Sequence, residues 1–137
     1  MTIPINDTFS GVWHSHYRYP SSSRAGEFEN EHLVRIHQRA RQLIIESVPG
    51  SKSYLILRLS INDGTTTGSW EEQTEQDGYY KGATYYGAIQ LVINPDKKHM
   101  SGKWVGFGRD MELNTGPWEF TYIGPDVPKE AKSQPAS

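Results

Sequence analysis

The sequence predicts an all-β fold, an eight-stranded antiparallel up-and-down barrel, and two features of its pattern carry that prediction. Short runs that alternate between apolar and polar side chains are bounded by Gly, Pro, Asn and Asp, as is typical of strands. No long stretch carries apolar residues at the three- and four-residue spacing of a helix. Runs joined by short turns favour a meander, and closing it into a barrel removes its exposed edges. A two-sheet β-sandwich is the alternative architecture.

The eight runs follow one another along the chain, with turn signals between them. They cover Thr8–Tyr19, Glu27–Gln38, Gln42–Val48, Tyr54–Ile61, Thr66–Glu75, Tyr79–Ile93, Met100–Phe107 and Thr115–Ile123. Pro49-Gly50 closes the third run, and Asn62-Asp63-Gly64, a strong hairpin signal, closes the fourth. Asp77-Gly78 closes the fifth run and Asn94-Pro95-Asp96 the sixth.

Alternation within each run predicts which side chains point into the barrel. In the first run, the side chains that share a face with Trp13 are Ser15, Tyr17 and Tyr19. In the second, the inward side chains are Phe28, His32, Val34 and Ile36. In the fourth, the apolar face consists of Leu55, Leu57, Leu59 and Ile61. In the sixth, Tyr79, Lys81 and Tyr85 share a face with the apolar residues Ile89, Leu91 and Ile93 and are therefore predicted to point inward.

Length and composition set the domain organisation. A chain of 137 residues fits one domain, and its 4 Trp, 8 Tyr and 4 Phe are too many large rings for a chain that does not pack. We predict a single β-barrel domain over residues 1–123. The Pro-rich, polar segment over 124–137 is predicted to be a flexible tail.

The same composition excludes several function classes. No window approaches the roughly 20 apolar residues of a membrane span, and the N-terminal residues lack the basic and apolar regions of a secretory signal. A net charge of −2 argues against a general nucleic-acid binder. The absence of Cys excludes disulfides, a thiol nucleophile and a zinc–thiolate site. We therefore expect a cytoplasmic protein with no cofactor, no membrane partner and a small-molecule ligand, and homo-oligomerisation stays open.

Four Gly-x-Trp triplets occur in the predicted strands or at their starts. They are Gly11-Val12-Trp13, Gly68-Ser69-Trp70, Gly102-Lys103-Trp104 and Gly116-Pro117-Trp118. In such a triplet Gly permits close approach or a bend of the strand, and Trp fills the space above it.

The first triplet, at the start of an eight-run meander, resembles the opening strand of the calycins, the superfamily of lipocalins, fatty-acid-binding proteins and avidins. The resemblance implies a cup for a small molecule. Biotin-binding residues of avidins cannot be matched one by one, and the last strand lacks the Arg that lipocalins pack under the first Trp, so biotin-like and retinoid-like ligands are not implied. Blocks such as Gly102–Gly108 also look like small bacterial domains that accompany helix-turn-helix or signalling modules.

Rings and a few charged groups form the candidate ligand-binding site. Small residues between Tyr79, Tyr80, Tyr85 and Tyr86 leave room for a planar ligand, and Lys81 is placed to meet an anionic group. Arg109, in a loop after the seventh run, could grip a phosphate or carboxylate at the barrel rim. The predicted ligand-binding residues are Tyr17, Trp70, Glu72, Tyr79, Lys81, Tyr85, Trp104, Arg109 and Trp118. Ordinary core packing and solvated loop charges are the alternative explanations.

Glu72 and His32 are the candidates for acid–base chemistry. Glu72 shares a face with Trp70, so it is predicted to be an interior carboxylate that needs partners or a raised pKa. A solvated strand end is the alternative. His32 is predicted to be a hydrogen-bonded interior histidine or a general acid or base. His14 and His16 share the outward face of the first run, but no third ligand is evident, so no metal is expected.

Three functions follow as hypotheses. The first is a non-catalytic barrel, a sensor or sequestering module, for a planar polar or anionic ligand such as a nucleotide-like signal or an aromatic metabolite. The second is a small barrel enzyme of the cyclase or isomerase type that uses Glu72 and His32. The third is a protein-interaction module with a filled core. Fold alone does not choose among them.

Overall fold

The computed structural model describes residues 8–20, 27–51, 53–74, 84–107 and 112–127, and these form a closed barrel of antiparallel strands. Each strand pairs with its neighbours in the chain, and β8 closes the ring on β1. The strands are β1 Gly11–Pro20, β2 Glu27–Arg39, β3 Gln42–Ser47, β4 Tyr54–Asn62, β5 Thr65–Gln73, β6 Thr84–Ile93, β7 His99–Phe107 and β8 Leu113–Gly124. The up-and-down barrel is confirmed, and the sandwich alternative is wrong because no strand edge of the sheet is left unpaired among these eight.

The predicted runs correspond to the eight strands, with shifts at their ends. The first run was expected to start at Thr8, but β1 begins at Gly11. The last strand begins two residues earlier than expected, at Leu113. The hairpin predicted at Asn62-Asp63-Gly64 joins β4 to β5, and Asp63 adopts the left-handed φ of 56° that tight hairpin turns require. No helix in the described part of the chain is long and apolar enough to cross a membrane.

The two ends of the barrel differ. We call the end at which β1, β3, β5 and β7 finish the upper end, and the opposite end the lower end. At the lower end Phe9 is buried beneath Trp13, whose indole Nε1 donates to the Phe9 carbonyl at 2.9 Å. The side-chain oxygen of Gln38 accepts from the backbone N–H groups of Thr8 and Phe9 at 2.9 and 3.0 Å. These contacts hold Thr8 and Phe9 against the lower end of the core.

The barrel interior is packed with the side chains that alternation assigns to it. Trp13, Trp118, Phe120 and the inward Leu and Ile residues of β3 and β4 up to Leu59 are almost fully buried and belong to one apolar cluster, against which Ile61 packs partly exposed. His14, His16 and Arg18 lie on the outer face, as predicted. The predicted faces of β1, β2, β4 and β5 are therefore confirmed in the described residues.

Tryptophans and glycines interlock across neighbouring strands. Trp70 of β5 lies opposite Gly87 of β6, and its indole crosses that strand to donate to the Val105 carbonyl of β7 at 3.2 Å. In the same way Trp104 lies opposite Gly116 of β8 and donates to the Arg18 carbonyl of β1 at 3.0 Å. Trp70 and Trp104 therefore do not cover the glycines of their own triplets as expected, because each indole extends across a neighbouring strand.

Candidate functional site

A buried carboxylate organises the upper end of the barrel. Glu72, near the end of β5, is only 5% exposed. The Tyr17 hydroxyl of β1 donates a short hydrogen bond to Glu72 Oε1, and the Ser53 hydroxyl donates to Oε2 at 2.7 Å. Asn30 of β2 donates its Nδ2–H to the Tyr17 hydroxyl oxygen at 3.0 Å. Four segments of the chain therefore meet at one polar cluster, which we call the Glu72 cluster: Tyr17, Asn30, His32, Ser53 and Glu72.

His32 completes the Glu72 cluster. Its side chain is 8% exposed, and its Nε2 lies 3.4 Å from Glu72 Oε2, a close approach in which this nitrogen makes no hydrogen bond. The imidazole lies nearly parallel to the Tyr17 ring, with centroids 6.2 Å apart and planes 8° apart. The His32 imidazole therefore lies beside Oε2 of the Glu72 carboxylate, whereas the Tyr17 hydroxyl donates to Oε1.

The electrostatics of the cluster assign its protonation states. Burial by itself would raise the pKa of Glu72, but the interactions with His32, Tyr17 and Ser53 outweigh it and lower that pKa below its ordinary value. Burial, together with the adjacent Glu72 charge, raises the pKa of Tyr17 well above its ordinary value. At neutral pH the cluster therefore holds an ionised carboxylate and a neutral phenol that donates to it.

Aromatic rings form a floor next to the Glu72 cluster. The ring centroids of Tyr17 and Trp118 are 4.5 Å apart, and Trp70 meets both Trp104 and Trp118 edge to face at 5.5 and 5.7 Å. Phe120 stacks on Trp118 with centroids 5.8 Å apart. Because these rings cover one another, the indole of Trp118 is nearly inaccessible, at 1% exposure. Its role in stacking on a ligand stays a prediction, and in the structure its indole packs beneath the rings of Tyr17 and Trp70.

The remaining predicted residues divide into two groups. Tyr85 pairs with Glu72 in the β5–β6 ladder and is partly buried against the core. Tyr19 and Phe28 are the first inward residues beyond Tyr17 and Asn30 toward the upper end, and their rings lie 5.9 Å apart. Tyr79, Lys81 and Arg109 lie outside the described residues. The structure thus brings together Tyr17, His32, Trp70, Glu72, Tyr85, Trp104 and Trp118 at the upper half of the barrel.

Two members of the Glu72 cluster were missed as site residues. Asn30 lies on the inward face of β2 between Phe28 and His32, so the period-two pattern already indicated its direction. Ser53 precedes β4 in a loop, and no periodicity in the sequence marks it. A buried carboxylate requires hydrogen-bond donors. The prediction that Glu72 is buried therefore also implies that hydroxyl groups from neighbouring loops, such as that of Ser53, donate to it.

The outward histidines of β1 face glutamates. His16 Nε2 lies 3.0 Å from Glu29 Oε2, and its Nδ1 lies 3.8 Å from Glu119 Oε1. His14 Nε2 lies 3.7 Å from Glu31 Oε2. Over the described ranges, no group of three or more His, Asp or Glu side chains is arranged to hold a metal ion.

The Glu72 cluster can do two things chemically. An ionised, buried carboxylate can accept hydrogen bonds from a bound molecule, and a carboxylate beside an imidazole can move a proton. Comparison with known proteins adds no assignment, because no protein-family model and no curated protein matches this chain.

Proposed function

We propose that the protein is a non-catalytic, calycin-like barrel that binds a small, planar, polar molecule at its upper end and acts in the cytoplasm as a sensor or sequestering module. One observation carries the proposal: an ionised carboxylate, Glu72, lies buried beside an aromatic floor and is held by Tyr17 and Ser53. Concave sites lined by rings with a few placed polar groups are typical of small-molecule pockets.

The cost of burying Glu72 supports a functional role. An apolar residue at this position would complete the core without any desolvation penalty, and a buried charge adds little net stability even when it is paired. At the upper end two hydroxyl donors, Tyr17 and Ser53, instead bind this one carboxylate, and the His32 imidazole lies beside it. This arrangement is explained if Glu72 is a preorganised hydrogen-bond acceptor for a ligand.

The charge of the cluster restricts the ligand. A buried carboxylate attracts an N–H or O–H donor and repels an anion. The group that reaches Glu72 is therefore a donor, such as the exocyclic amine or ring N–H of a nucleobase or an aromatic metabolite. The half-buried rings of Tyr19, Phe28 and Tyr85 supply the apolar surface beside it. An anionic group on the same ligand would be met by Lys81 or Arg109, which lie outside the described residues.

A second candidate function is supported by the approach of His32 to Glu72. A carboxylate oxygen 3.4 Å from an imidazole nitrogen, both buried, is the pairing of side chains that general acid–base catalysis uses. In this reading the barrel is an enzyme of the isomerase or cyclase type, which shapes a substrate and moves one proton.

The test is a thermal-shift screen of the purified chain against nucleotides, cyclic nucleotides, aromatic metabolites and lipids, with tryptophan fluorescence as a second readout. Three of the four tryptophans lie in or under the proposed floor, so binding should change their emission. We expect saturable stabilisation by one ligand class that presents a planar donor group. The variant Glu72→Gln should weaken that binding by about tenfold or more, since it removes a charge-assisted hydrogen bond.

Glu31→Gln is the matched control, because it makes the same change on the outer face of β2, where the Glu31 side chain is 60% exposed. It should bind like the unmodified chain. A cooperative melt that no compound shifts would overturn the proposal in favour of a filled-core interaction module. If Glu72→Gln retains binding but abolishes conversion of the hit compound, followed by chromatography, the enzyme is the correct function.

A further inference from the structure

The outer wall of the barrel is divided into a charged side and an uncharged side. On β1 and β2 nearly every outward side chain is ionisable, among them His14, His16, Arg18, Glu29 and Glu31. On β5, β6 and β7 the outward side chains are mostly Thr, Ser, Gln, Ala and Val, and between the strand ends the ionisable ones are Glu71 and Lys103. We call this second side the β5–β7 wall.

The β5–β7 wall also exposes large apolar side chains. Tyr86 is 45% exposed, Val105 is 37% exposed, and Val92 is 57% exposed. Phe107 packs edge to face against Tyr86, with ring centroids 5.4 Å apart. Depletion of charge together with exposed aromatic and aliphatic side chains is the composition of the centre of a protein interface.

The strand register makes the wall self-complementary. Ala88 of β6 lies at its centre, opposite Ser69 of β5 on one side and Val105 of β7 on the other. Glu71 is two residues above Ser69, whereas Lys103 is two residues below Val105. Glu71 and Lys103 therefore lie at opposite ends of one diagonal through Ala88, at about the same distance from it. Neither takes part in an ion pair within the described portion of the chain.

We propose that the β5–β7 wall binds a second copy of this chain in a twofold symmetric dimer. A twofold axis that passes over Ala88 at right angles to the Glu71–Lys103 diagonal places Glu71 of each copy over Lys103 of the other. The same operation places Tyr86 of each copy close to Val105 of the other. The small side chains of Ser69 and Ala88 let the two walls approach closely.

Charge complementarity singles out a second copy as the occupant. Glu71 and Lys103 have opposite charges and symmetric positions. Two copies of the wall therefore form two identical Glu71–Lys103 ion pairs, and neither charge is left unpaired. A partner that is strongly acidic or basic would satisfy only one of them. Because each of the eight strands is paired on both sides, a second copy docks face to face and not by adding a strand.

The experiment measures the mass of the full chain by sedimentation over a range of concentrations. We expect a monomer–dimer equilibrium. Reversing one charge, by Glu71→Lys or Lys103→Glu, places like charges together at both contacts and should raise the dimer dissociation constant about tenfold or more. The double variant Glu71→Lys/Lys103→Glu reverses both partners and should restore dimerisation. Glu31→Lys on the charged wall is the control, and it should dimerise like the unmodified chain.

The outcomes decide the proposal without reference to the upper-end ligand. Weaker association in both single variants with recovery in the double variant supports the dimer, provided that circular dichroism shows each variant folded. A chain that is monomeric at concentrations up to about 1 mM overturns it. Dimerisation that neither single reversal weakens, or a double variant that fails to recover, overturns the β5–β7 wall as the interface.

Discussion

Glu72 links the proposed site to the acid stability of the protein. Because its pKa is lower in the folded state than the ordinary value of 4.5, folding is favoured by its ionisation. That contribution is present above the ordinary pKa of the unfolded chain and is lost as pH falls through the lower folded value. Between these two pKa values the unfolded chain binds a proton at Glu72 and the folded protein does not, so a fall in pH favours unfolding.

We therefore expect Glu72→Gln to flatten the acid limb of the stability curve. The variant should be less stable than the unmodified chain at neutral pH, because a neutral amide cannot accept from Tyr17 and Ser53 as the carboxylate does. Its urea midpoint should fall less between pH 7 and pH 3. Glu31→Gln, with the same change on the outer face of β2, should follow the unmodified chain. Parallel curves for Glu72→Gln and the unmodified chain would contradict the lowered pKa.

Thr66 is a residue with an unused polar group in the core. It is fully buried on the inward face of β5, and its hydroxyl has no hydrogen-bond partner. Valine has nearly the same shape and no polar atom. We expect Thr66→Val to raise the unfolding free energy by about 1 kcal/mol, seen as a higher melting temperature. A lower melting temperature would show that this hydroxyl is satisfied in the folded protein.

At the scale of elements, strand packing depends on where glycines let tryptophans cross. Gly106 of β7 lies directly beneath the Trp70 indole, and a methyl group there would sit 2.5 Å from Trp70 Cζ2 and 2.6 Å from the Tyr86 carbonyl oxygen. Real side chains do not approach so closely, so either the indole or the strand must move. The pairing of β5, β6 and β7 near the aromatic floor therefore requires glycine at position 106.

Gly106→Ala should consequently destabilise the fold by about 1–3 kcal/mol, measured by urea unfolding. It should also shift tryptophan emission, because Trp70 has to leave its position against the Val105 carbonyl. Gly64→Ala in the β4–β5 turn is the control, since a methyl group there meets nothing within 4 Å. Equal stability for the two variants would mean that the Trp70 crossing does not constrain the sheet.

At the scale of the whole molecule, closure of the barrel separates two surfaces with different chemistry. The Glu72 cluster lies inside the upper end, whereas the β5–β7 wall is on the outside of the same strands. Alternation along β5 places Glu72 and Trp70 on the inner surface and Glu71 and Ser69 on the outer one. A single strand thereby contributes to the proposed ligand site and to the proposed dimer interface.

Local patterns determined much of this architecture. The number of strands, their antiparallel order and the inward direction of Tyr17, His32 and Glu72 all follow from a period of two residues and from turn residues, which act over a few positions of the chain. The run boundaries were less well determined, as the start of β1 at Gly11 shows, because a strand begins only where its backbone pairs with a neighbour, and the pairing of β1 with β2 begins at Gly11.

Only the tertiary structure decided which inward side chains meet. Tyr17 and Glu72 are 55 residues apart, and they touch because closure brings β1 and β5 to face each other across one interior. Ser53 joins them from a loop, and Trp70 covers a glycine of another strand, both as consequences of register and strand tilt. Alternation states the direction of a side chain but carries no information on its distance from a side chain of another strand. Contact, and with it the chemistry of the Glu72 cluster, is therefore a property of the closed barrel.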